Sequence, residues 1–494
     1  MKEKIIIPIQ TEKERFLKHI ENPFNSSIFF SGIFGIGKTY FLKDFFNSYL
    51  DKFDTYFISP INYSIAQNKD IFKYIKFDIA YELLNKQVDF NDDNFSLSQT
   101  LPFFVKNNKL EILKIILKNA GKLGKGIKDL VEFFEKALEQ NKALNKGERQ
   151  EIIDYLKSVS QIDGSLYEDD IITSLLSEKI ESHKNKENHK KAVLIIDDLD
   201  RLDPAHIFRI LNILAHQVDI ENSKNNLFSF DKIIIVGDVN NIRNIFHSKY
   251  GDNTDFSGYI DKFFDNEVYY FDNKKYIINQ LDEILGNIKL GKQSEKIINL
   301  KNHNNTKYLL LKEMILNLIQ NDLLNLRSLL KYEEQTFEFE NYKFNLKGWS
   351  NYSYSCEFVL IVLFEFLLKL YGEISALKIA IQKIVNQHFE LAEDLLKTWF
   401  GFLLPLIDYK NIRKYQTEGY SYFNSSLNIE IKYKMERWGS DIRIYFANIY
   451  EIVIDKKNIN FENTSFNDEK FNYIFRYLLK IAFEKYLETK NNKF

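Results

Sequence analysis

The sequence predicts an α/β fold for residues 1–271, namely a parallel sheet with a helical insert, and then a mainly helical C-terminal region with some strands. Three observations support this prediction. Short apolar runs that end at turn-forming or acidic residues alternate with stretches of helical periodicity. One gap between two runs is far longer than the roughly 30 residues of a βαβ unit. After Asn273 the helical pattern dominates.

The predicted strands are short apolar segments, and most of them stop at a glycine, a proline or an aspartate. In chain order they are Ser27 to Ser31, Asp54 to Ser59, Lys191 to Ile196, Lys232 to Val236 and Glu267 to Phe271. Helical patterns separate them, and strands that are connected through helices usually pair in parallel. We therefore expect one parallel sheet.

The long gap lies between Lys38 and Asp197, which are 159 positions apart. We place an insert there, at about residues 100–185. Its core is predicted to be helical, because apolar residues recur at helical spacing on both sides of a glycine-rich break. The two stripes are Leu110, Leu113, Ile116 and Leu117, and then Ile127, Leu130, Val131 and Phe134.

Two further regions follow the predicted sheet. Residues 272–335 are predicted to form a helical extension, and residues 336–494 an α+β domain that binds a partner or acts as an effector. In the second region we predict a hairpin around Phe337 to Leu346 and further strands between Ser421 and Asp455, where apolar and polar residues alternate.

The composition is that of an ordinary soluble protein. The net charge of −2 gives no global electrostatic argument for nucleic acid. The single cysteine, Cys356, excludes an intramolecular disulfide and fits a reducing compartment. The first ten residues lack the features of a signal peptide, and the longest apolar run, Phe358 to Phe364, is far shorter than a membrane helix. We expect a cytoplasmic protein without a membrane span.

A glycine-rich loop follows the first predicted strand and fits the pattern G-x-x-x-x-G-K-[ST]. Its backbone N–H groups can hold phosphate oxygens, helped by the positive end of the following helix. Lys38 is expected to neutralise β- and γ-phosphate charge, and the Thr39 hydroxyl to bind Mg²⁺. A chance match in a glycine turn is the alternative, but the loop lies between a strand and a helix, where a phosphate-binding loop belongs. The candidate nucleotide contacts are Gly32, Ile33, Phe34, Gly35, Ile36, Gly37, Lys38, Thr39 and Tyr40.

Paired carboxylates follow the most apolar predicted strand. The run Asp197-Asp198-Leu199-Asp200-Arg201 comes directly after five consecutive apolar residues, which indicate a strand buried on both faces. Ligands of open α/β sheets bind at the carboxyl ends of such strands. We expect Asp197 to hold Mg²⁺ through water and Asp198 to orient or deprotonate an attacking water. An acidic helix start is the alternative, and it explains Asp203 but not the doublet.

Other polar residues are weaker candidates. Asp238, one residue past a predicted strand, is interpreted either as a sensor of the γ-phosphate or as an ordinary Asx turn. Arg327 lies in a helical segment and either reaches the γ-phosphate or is a solvated helix arginine. Arg201 and Arg209 are candidates to act on a neighbouring subunit's nucleotide, although surface ion pairs are the simpler interpretation.

Together these residues resemble the KAP family of P-loop NTPases, within the signal-transducing STAND class. The likeness covers about the first 335 residues. It rests on Gly32 to Thr39, Asp197 to Arg201, the strand that ends at Asp238, Tyr259 to Phe264 and the helix with Arg327. The resemblance implies an ASCE-type sheet that uses ATP and Mg²⁺, an acidic residue poised for hydrolysis, and a helical extension that reports the nucleotide state. Many members carry transmembrane hairpins in the insert, whereas Leu110 to Leu138 here carries lysines, among them Lys114, Lys118, Lys122, Lys125 and Lys128.

The preferred hypothesis is a Mg-ATP-binding and hydrolysing switch or assembly platform. Its expected partners are further copies of the chain, a protein encoded by a neighbouring gene, or both. Bacterial relatives often look like parts of anti-phage systems, so the resemblance also implies a role in defence. One alternative is an AAA-like motor on DNA, for which the lysines of Leu110 to Lys128 are the only support. Another is fusion to a metal-dependent nuclease formed by Asp408 with Glu430 and Lys432.

Overall fold

The computed structural model shows two compact units, Gln10–Asp272 and a second unit that comprises Asn273–Phe494 together with Ile9. The helical stripes predicted between Leu110 and Phe134, and the hairpin beyond Phe339, lie outside the described residues. The described residues are 9–63, 71–86, 88, 171–187, 190–215, 228–292, 294–339, 359–387, 393–408, 419–438, 444–454, 457–460 and 469–491.

The N-terminal unit contains one sheet of parallel strands, as the sequence predicts. The strands are β1 Ser27–Ser31, β2 Phe53–Ile58, β3 Lys191–Ile196, β4 Lys232–Gly237 and β5 Tyr269–Tyr270. They are arranged in the order β2-β3-β4-β1-β5. The predicted fold class is confirmed. β5 is shorter than the predicted segment, because it pairs with β1 only at the two positions opposite Phe30 and Ser31.

Helices cover both faces of this sheet. They are α1 Gln10–Glu21, α2 Lys38–Ser48, α3 Ile71–Asn85, α4 Ile171–Lys186, α5 Pro204–Ala215, α6 Val239–Tyr250 and α7 Phe256–Ile260. Consecutive residues of β1 show the two faces: Phe30 packs against Phe16 of α1 and Phe41 of α2, with ring centroids 5.2 and 5.7 Å apart. Phe29 belongs to the apolar cluster on the other face. Burial on both faces explains why the strands have continuous apolar runs.

The strand order brings two distant segments to one edge of the sheet. β4 lies between β1 and β3, and the parallel pairing aligns Ser31 with Gly237 and Ile196 with Ile235. The Gly32 N–H donates to the Gly237 carbonyl oxygen at 3.1 Å. The glycine-rich loop after β1 and the carboxylates after β3 therefore meet where open α/β sheets bind their ligands.

The C-terminal unit packs helices and an antiparallel sheet around one apolar core, which extends in sequence from Ile277 to Tyr486. The predicted helical extension and the region after it share this core. The helices are α8 Lys274–Asn279, α9 Leu281–Asn287, α10 Ser294–Ile297, α11 Thr306–Gln320, α12 Leu326–Glu334, α13 Val359–Tyr371, α14 Ile374–Asn386, α15 Glu393–Ile407 and α16 Glu469–Asn491. The strands, in spatial order, are β6 Tyr420–Asn424, β7 Ile429–Trp438, β8 Ile444–Ile454 and β9 Lys457–Asn460.

The strands of the C-terminal sheet confirm the alternation seen in the sequence. Ile429, Ile431 and Tyr433 of β7 are buried, whereas the residues between them are more exposed. At the described end of the predicted hairpin, Phe337 forms a parallel bridge with Leu290. No helix in the described parts of either unit is long and apolar enough to cross a membrane.

Candidate nucleotide-binding site

The glycine-rich loop connects β1 to α2 through two glycines with left-handed backbone. Gly35 has a φ of 80° and Gly37 a φ of 101°, values that other residues rarely adopt. Gly32 packs closely against the segment that follows β5, since a Cβ at this position would lie 3.0 Å from the Phe271 carbonyl oxygen. α2 begins at Lys38, so the positive end of the helix lies at the loop. The loop has the sharp turns and exposed helix start that a phosphate cradle requires.

Lys38 is buried beneath the loop, with 8% of its surface exposed. Its Nζ donates to the Gly32 carbonyl oxygen at 2.7 Å and to the Ile33 carbonyl oxygen at 3.3 Å. Burial lowers the pKa of Lys38, because it disfavours the charged form. Four nearby carboxylates oppose this change, those of Asp200, Asp238, Asp197 and Asp198. The lysine is therefore a buried cation that is hydrogen-bonded to the loop backbone and lies within the field of several acidic side chains.

Thr39 and Asp197 bring two oxygen ligands together. The Thr39 hydroxyl donates to Asp197 Oδ2 at 2.6 Å, although the two residues are 158 positions apart in the chain. Asp197 is 6% exposed, and burial raises the pKa of its carboxyl group. The Asp198 N–H donates to Asp197 Oδ1 at 2.8 Å. A hydroxyl and a carboxylate are the hard oxygen ligands that Mg²⁺ prefers, so these residues fit the predicted metal.

Asp198 occupies a different environment from its neighbour. Its φ of 55° lies in the left-handed region and turns the chain from β3 into the one-turn 3₁₀ helix Leu199–Arg201. The Asp198 Oδ2 atom forms an ion pair with Arg201 Nη1 at 2.9 Å, and 28% of the Asp198 side chain is exposed. Asp198 is therefore accessible to water, as a group that activates water must be.

Asp238 caps helix α6. Its Oδ1 atom accepts hydrogen bonds from the N–H groups of Asn240 and Asn241 at 2.9 and 3.4 Å. This is the Asx-turn alternative of the sequence analysis. Asp238 is also one of the carboxylates near Lys38, and its role as a γ-phosphate sensor stays a prediction.

Asp200 is a site residue to which the sequence analysis assigned no role. It is buried, which raises the pKa of its carboxyl group, and its Oδ2 atom accepts from the Asp238 N–H at 3.2 Å. It is also the carboxylate with the largest opposing effect on the pKa of Lys38. The hydrogen bond from the Asp238 N–H connects the segments that follow β3 and β4, close to Lys38. In the sequence, the only indication of this role is that Asp200 is the third acidic residue of the run Asp197 to Arg201.

The other predicted contacts of the loop differ in exposure. Ile36 is buried, whereas Tyr40 and Phe34 are exposed, Phe34 by 46%. The Arg201 guanidinium carbon lies 5.6 Å from the centre of the Phe34 ring. Arg201 thus contacts both the loop and the carboxylate doublet within its own chain.

Two of the weaker candidates belong to other helices. Arg327 is an exposed residue of α12 in the C-terminal unit, so its contact with a γ-phosphate stays a prediction. Arg209 is a half-buried residue in α5, and its action on a neighbouring subunit stays a prediction as well.

The structure separates the three residues of the nuclease alternative. Asp408 is buried, and its Oδ2 atom accepts from the Tyr433 hydroxyl at 2.6 Å. Glu430 and Lys432 alternate with the buried residues of β7 and so project from the opposite face. Lys432 Nζ lies 3.1 Å from Glu451 Oε2 on β8. These residues are placed as structural pairs, and Asp408 does not join a metal site with the other two.

Comparison with known proteins agrees with this geometry. A search of curated proteins finds no match to the chain. The family model described as the KAP family P-loop domain matches residues 13–335, which is more than half of the 494 residues. The matched segment contains the entire parallel sheet, the glycine-rich loop and the carboxylate cluster. The chain belongs to the KAP family of P-loop NTPases.

Proposed function

We propose that this protein binds and hydrolyses Mg-ATP and acts as a nucleotide-gated switch or assembly platform. The observation that carries the proposal is the convergence of Lys38, Thr39, Asp197 and Asp198 at the carboxyl edge of the sheet. The Thr39 hydroxyl and Asp197 Oδ2 lie 2.6 Å apart despite a separation of 158 positions in the chain.

Nucleotide binding follows from the charges and hydrogen bonds of the loop. The Lys38 ammonium donates to two backbone carbonyl oxygens, and phosphate oxygens are stronger acceptors because they carry charge. Backbone N–H groups of the loop and of the start of α2 would provide further donors to a bound phosphate. Thr39 and Asp197 would hold Mg²⁺, which neutralises phosphate charge when bound.

Hydrolysis is assigned to Asp198. Its carboxylate is partly exposed and lies next to the buried Asp197, so it can accept a proton from a water molecule or orient it toward the γ-phosphate. Phosphoryl transfer requires little else from the protein than such positioning and charge stabilisation.

The switch function and the role in phage defence rest on the family resemblance. The C-terminal unit, with its own core, would bind the partner, which we expect to be another copy of the chain or the product of a neighbouring gene. Copurification of the chain with untagged neighbouring gene products tests this part of the proposal. Recovery of the chain alone, with and without ATP, would contradict a role as an assembly platform.

The binding part of the proposal is tested by Lys38→Ala. We expect loss of tight ATP binding in calorimetry with retention of the fold, because the substitution removes a phosphate contact. Lys43→Ala is the matched control, since Lys43 is an exposed lysine of the same helix and should bind ATP normally. Unchanged ATP affinity in Lys38→Ala would show that the loop is not the nucleotide site.

The hydrolysis part is tested by Asp198→Asn. Mg-ATP binding should persist, while the turnover rate should fall by about 10² or more, because the base is lost and the phosphate contacts remain. Phosphate release measured at saturating ATP provides the comparison. A variant that hydrolyses ATP at the wild-type rate would place the base elsewhere.

A further inference from the structure

Arg201 contacts both parts of the nucleotide site. Its Nη1 atom lies 2.9 Å from Asp198 Oδ2, and its guanidinium carbon lies 5.6 Å from the centre of the Phe34 ring. Asp198 is the residue proposed to activate water, and Phe34 belongs to the phosphate-binding loop. A single cation therefore contacts both the phosphate-binding loop and the group proposed to activate water.

The local fold explains how Arg201 reaches this position. The left-handed backbone of Asp198 starts a single 3₁₀ turn, in which the Arg201 N–H donates to the Asp198 carbonyl oxygen at 3.2 Å. Leu199 and Asp200, the residues between them, are buried and anchor the turn. Residues three apart in a 3₁₀ helix lie on the same side, so the Arg201 side chain returns over Asp198.

The ion pair is poorly protected from water, because 41% of the Arg201 side chain and 28% of the Asp198 side chain are exposed. Exposed pairs of this kind contribute little to stability and exchange readily. A terminal phosphate carries more charge than a solvated carboxylate and can accept two parallel hydrogen bonds from a guanidinium, whereas Asp198 is paired with Arg201 through Nη1. A phosphate group near Lys38 would therefore compete with Asp198 for Arg201.

We propose that Arg201 holds Asp198 in the protein without nucleotide and transfers to the γ-phosphate when ATP binds. The transfer releases the Asp198 carboxylate for water at the moment when the substrate is in place. This inference deepens the proposed function and rests on it. It also gives Arg201 a role within its own subunit, in contrast to the action on a neighbouring subunit considered from the sequence.

The first test compares the affinities of a non-hydrolysable ATP analogue and of ADP in Arg201→Gln by calorimetry. The ratio of the two affinities should fall by about ten-fold, because the guanidinium contacts only the γ-phosphate. ADP affinity should stay unchanged. Arg201→Lys, which keeps the charge but not the planar fork, should give an intermediate ratio.

Arg243→Gln is the matched control. Arg243 is an exposed arginine of the same unit and also lies over an aromatic ring, with its guanidinium carbon 5.2 Å from the centre of Phe256. Its Nη1 atom donates to Asn240 Oδ1 at 3.2 Å within α6, so the substitution should leave the affinity ratio at the wild-type value.

The second test measures the reaction of Arg201 with an arginine-directed dicarbonyl reagent, followed by mass spectrometry. Without nucleotide, Asp198→Asn should speed the modification of Arg201, because its partner is lost. In the wild-type protein the ATP analogue should protect Arg201 and ADP should not.

The outcomes separate this inference from the proposed function. Wild-type protein that binds neither nucleotide would refute both. Normal wild-type binding with an unchanged affinity ratio in Arg201→Gln would refute the transfer alone. An equal loss of affinity for the analogue and for ADP would show that Arg201 only supports the local fold, and would also refute the transfer.

Discussion

In the N-terminal unit the charges of four aspartates act on the buried Lys38, whose ammonium is hydrogen-bonded to backbone carbonyl oxygens. In the C-terminal unit the buried carboxylates of Glu365 and Asp408 are hydrogen-bonded directly to side chains. Glu365 Oε1 accepts from the Tyr486 hydroxyl and from Lys490 Nζ, at 2.5 and 2.9 Å. Asp408 accepts from a buried tyrosine hydroxyl at 2.6 Å.

The comparison shows in which unit buried charged groups lie in surroundings that disfavour their charged forms. A buried charge is stabilised only when partners compensate its lost hydration. In the N-terminal unit burial raises the pKa values of Asp197 and Asp200 and lowers that of Lys38, so each charged form is disfavoured there. Charged groups in such unfavourable surroundings are found at functional sites, where a bound ligand can compensate their charge. The paired charges of the C-terminal unit are instead structural.

The largest effect is expected from breaking the buried pair of the C-terminal unit. Lys490→Met leaves Glu365 as a buried carboxylate without its cation, which should lower the free energy of unfolding by about 3–5 kcal/mol. All three tryptophans of the sequence come after Asn273, and Trp399 is buried in the core of this unit, so tryptophan fluorescence during urea unfolding reports on the C-terminal part of the chain.

The double substitution Glu365→Leu with Lys490→Met is the control for this prediction. It should recover most of the lost stability, because replacing both charges by apolar groups removes the unpaired carboxylate. If Lys490→Met unfolded at the wild-type urea concentration, the pair would have no structural role.

Asp197→Asn should have the opposite effect in the N-terminal unit. Because burial raises the pKa of Asp197, a neutral side chain should stabilise the protein measured without nucleotide. Mg-ATP should then fail to stabilise it further, whereas wild-type protein should gain about 2.7 kcal/mol at a ligand concentration of about 100 Kd. Thermal melting followed by circular dichroism, with and without Mg-ATP, measures both effects.

Asp203→Asn is the matched control, since Asp203 is an exposed aspartate whose Oδ1 atom accepts from the Ala205 N–H at the start of α5. It should leave the stabilisation by Mg-ATP intact. A destabilised Asp197→Asn protein would mean that the Thr39 hydrogen bond outweighs the cost of burying the charge.

Arg327→Ala tests whether the two units communicate. If the guanidinium touches the γ-phosphate, it contributes about 1.5–3 kcal/mol to ATP binding and nothing to ADP binding. The substitution should narrow the affinity gap between an ATP analogue and ADP by roughly ten-fold. It should also abolish any ATP-dependent change in tryptophan fluorescence or protease sensitivity of the C-terminal unit. If the affinity gap and the ATP-dependent change of the C-terminal unit both persist, Arg327 is not involved, and nucleotide binding is coupled to that unit through other residues.

The smallest expected effect is a pH dependence specific to the N-terminal unit. The folded pKa of Asp197 lies above its unfolded value of about 3.9, so the folded state keeps this proton longer. The wild-type protein should therefore lose stability relative to Asp197→Asn as the pH rises from about 4 through the folded pKa. Melting curves of the two proteins from about pH 4 to about pH 7 measure the difference. If the difference in stability between the wild-type protein and Asp197→Asn did not change with pH, the pKa of Asp197 would be the same in the folded and unfolded states.

The sequence predicted those features that depend on short segments. The spacing of Gly32, Gly37 and Lys38 predicts the phosphate loop, because left-handed glycines and a helix start are local properties. The apolar run before Asp197 predicts a strand buried on both faces, and β3 is one. The alternation after Ser421 likewise predicted the strands of the C-terminal sheet.

The sequence did not reveal the contacts that join separate elements. Asp200 could be interpreted only as part of an acidic run, and its hydrogen bond to the Asp238 N–H depends on the pairing of β3 with β4. The separation of Asp408 from Glu430 and Lys432 likewise depends on which face of β7 packs against the core.

By itself, the sequence determined that this chain carries a phosphate-binding loop, a carboxylate doublet and an α/β sheet, because periodicity and turn chemistry act over a few residues. Only the tertiary structure decided that β4 separates β1 from β3, that Arg201 contacts both Phe34 and Asp198, and that the charges of four aspartates act on Lys38. An apolar run specifies that a strand is buried but not which strand lies beside it. That choice is made by the packing of the whole unit, and it sets the charges around the site.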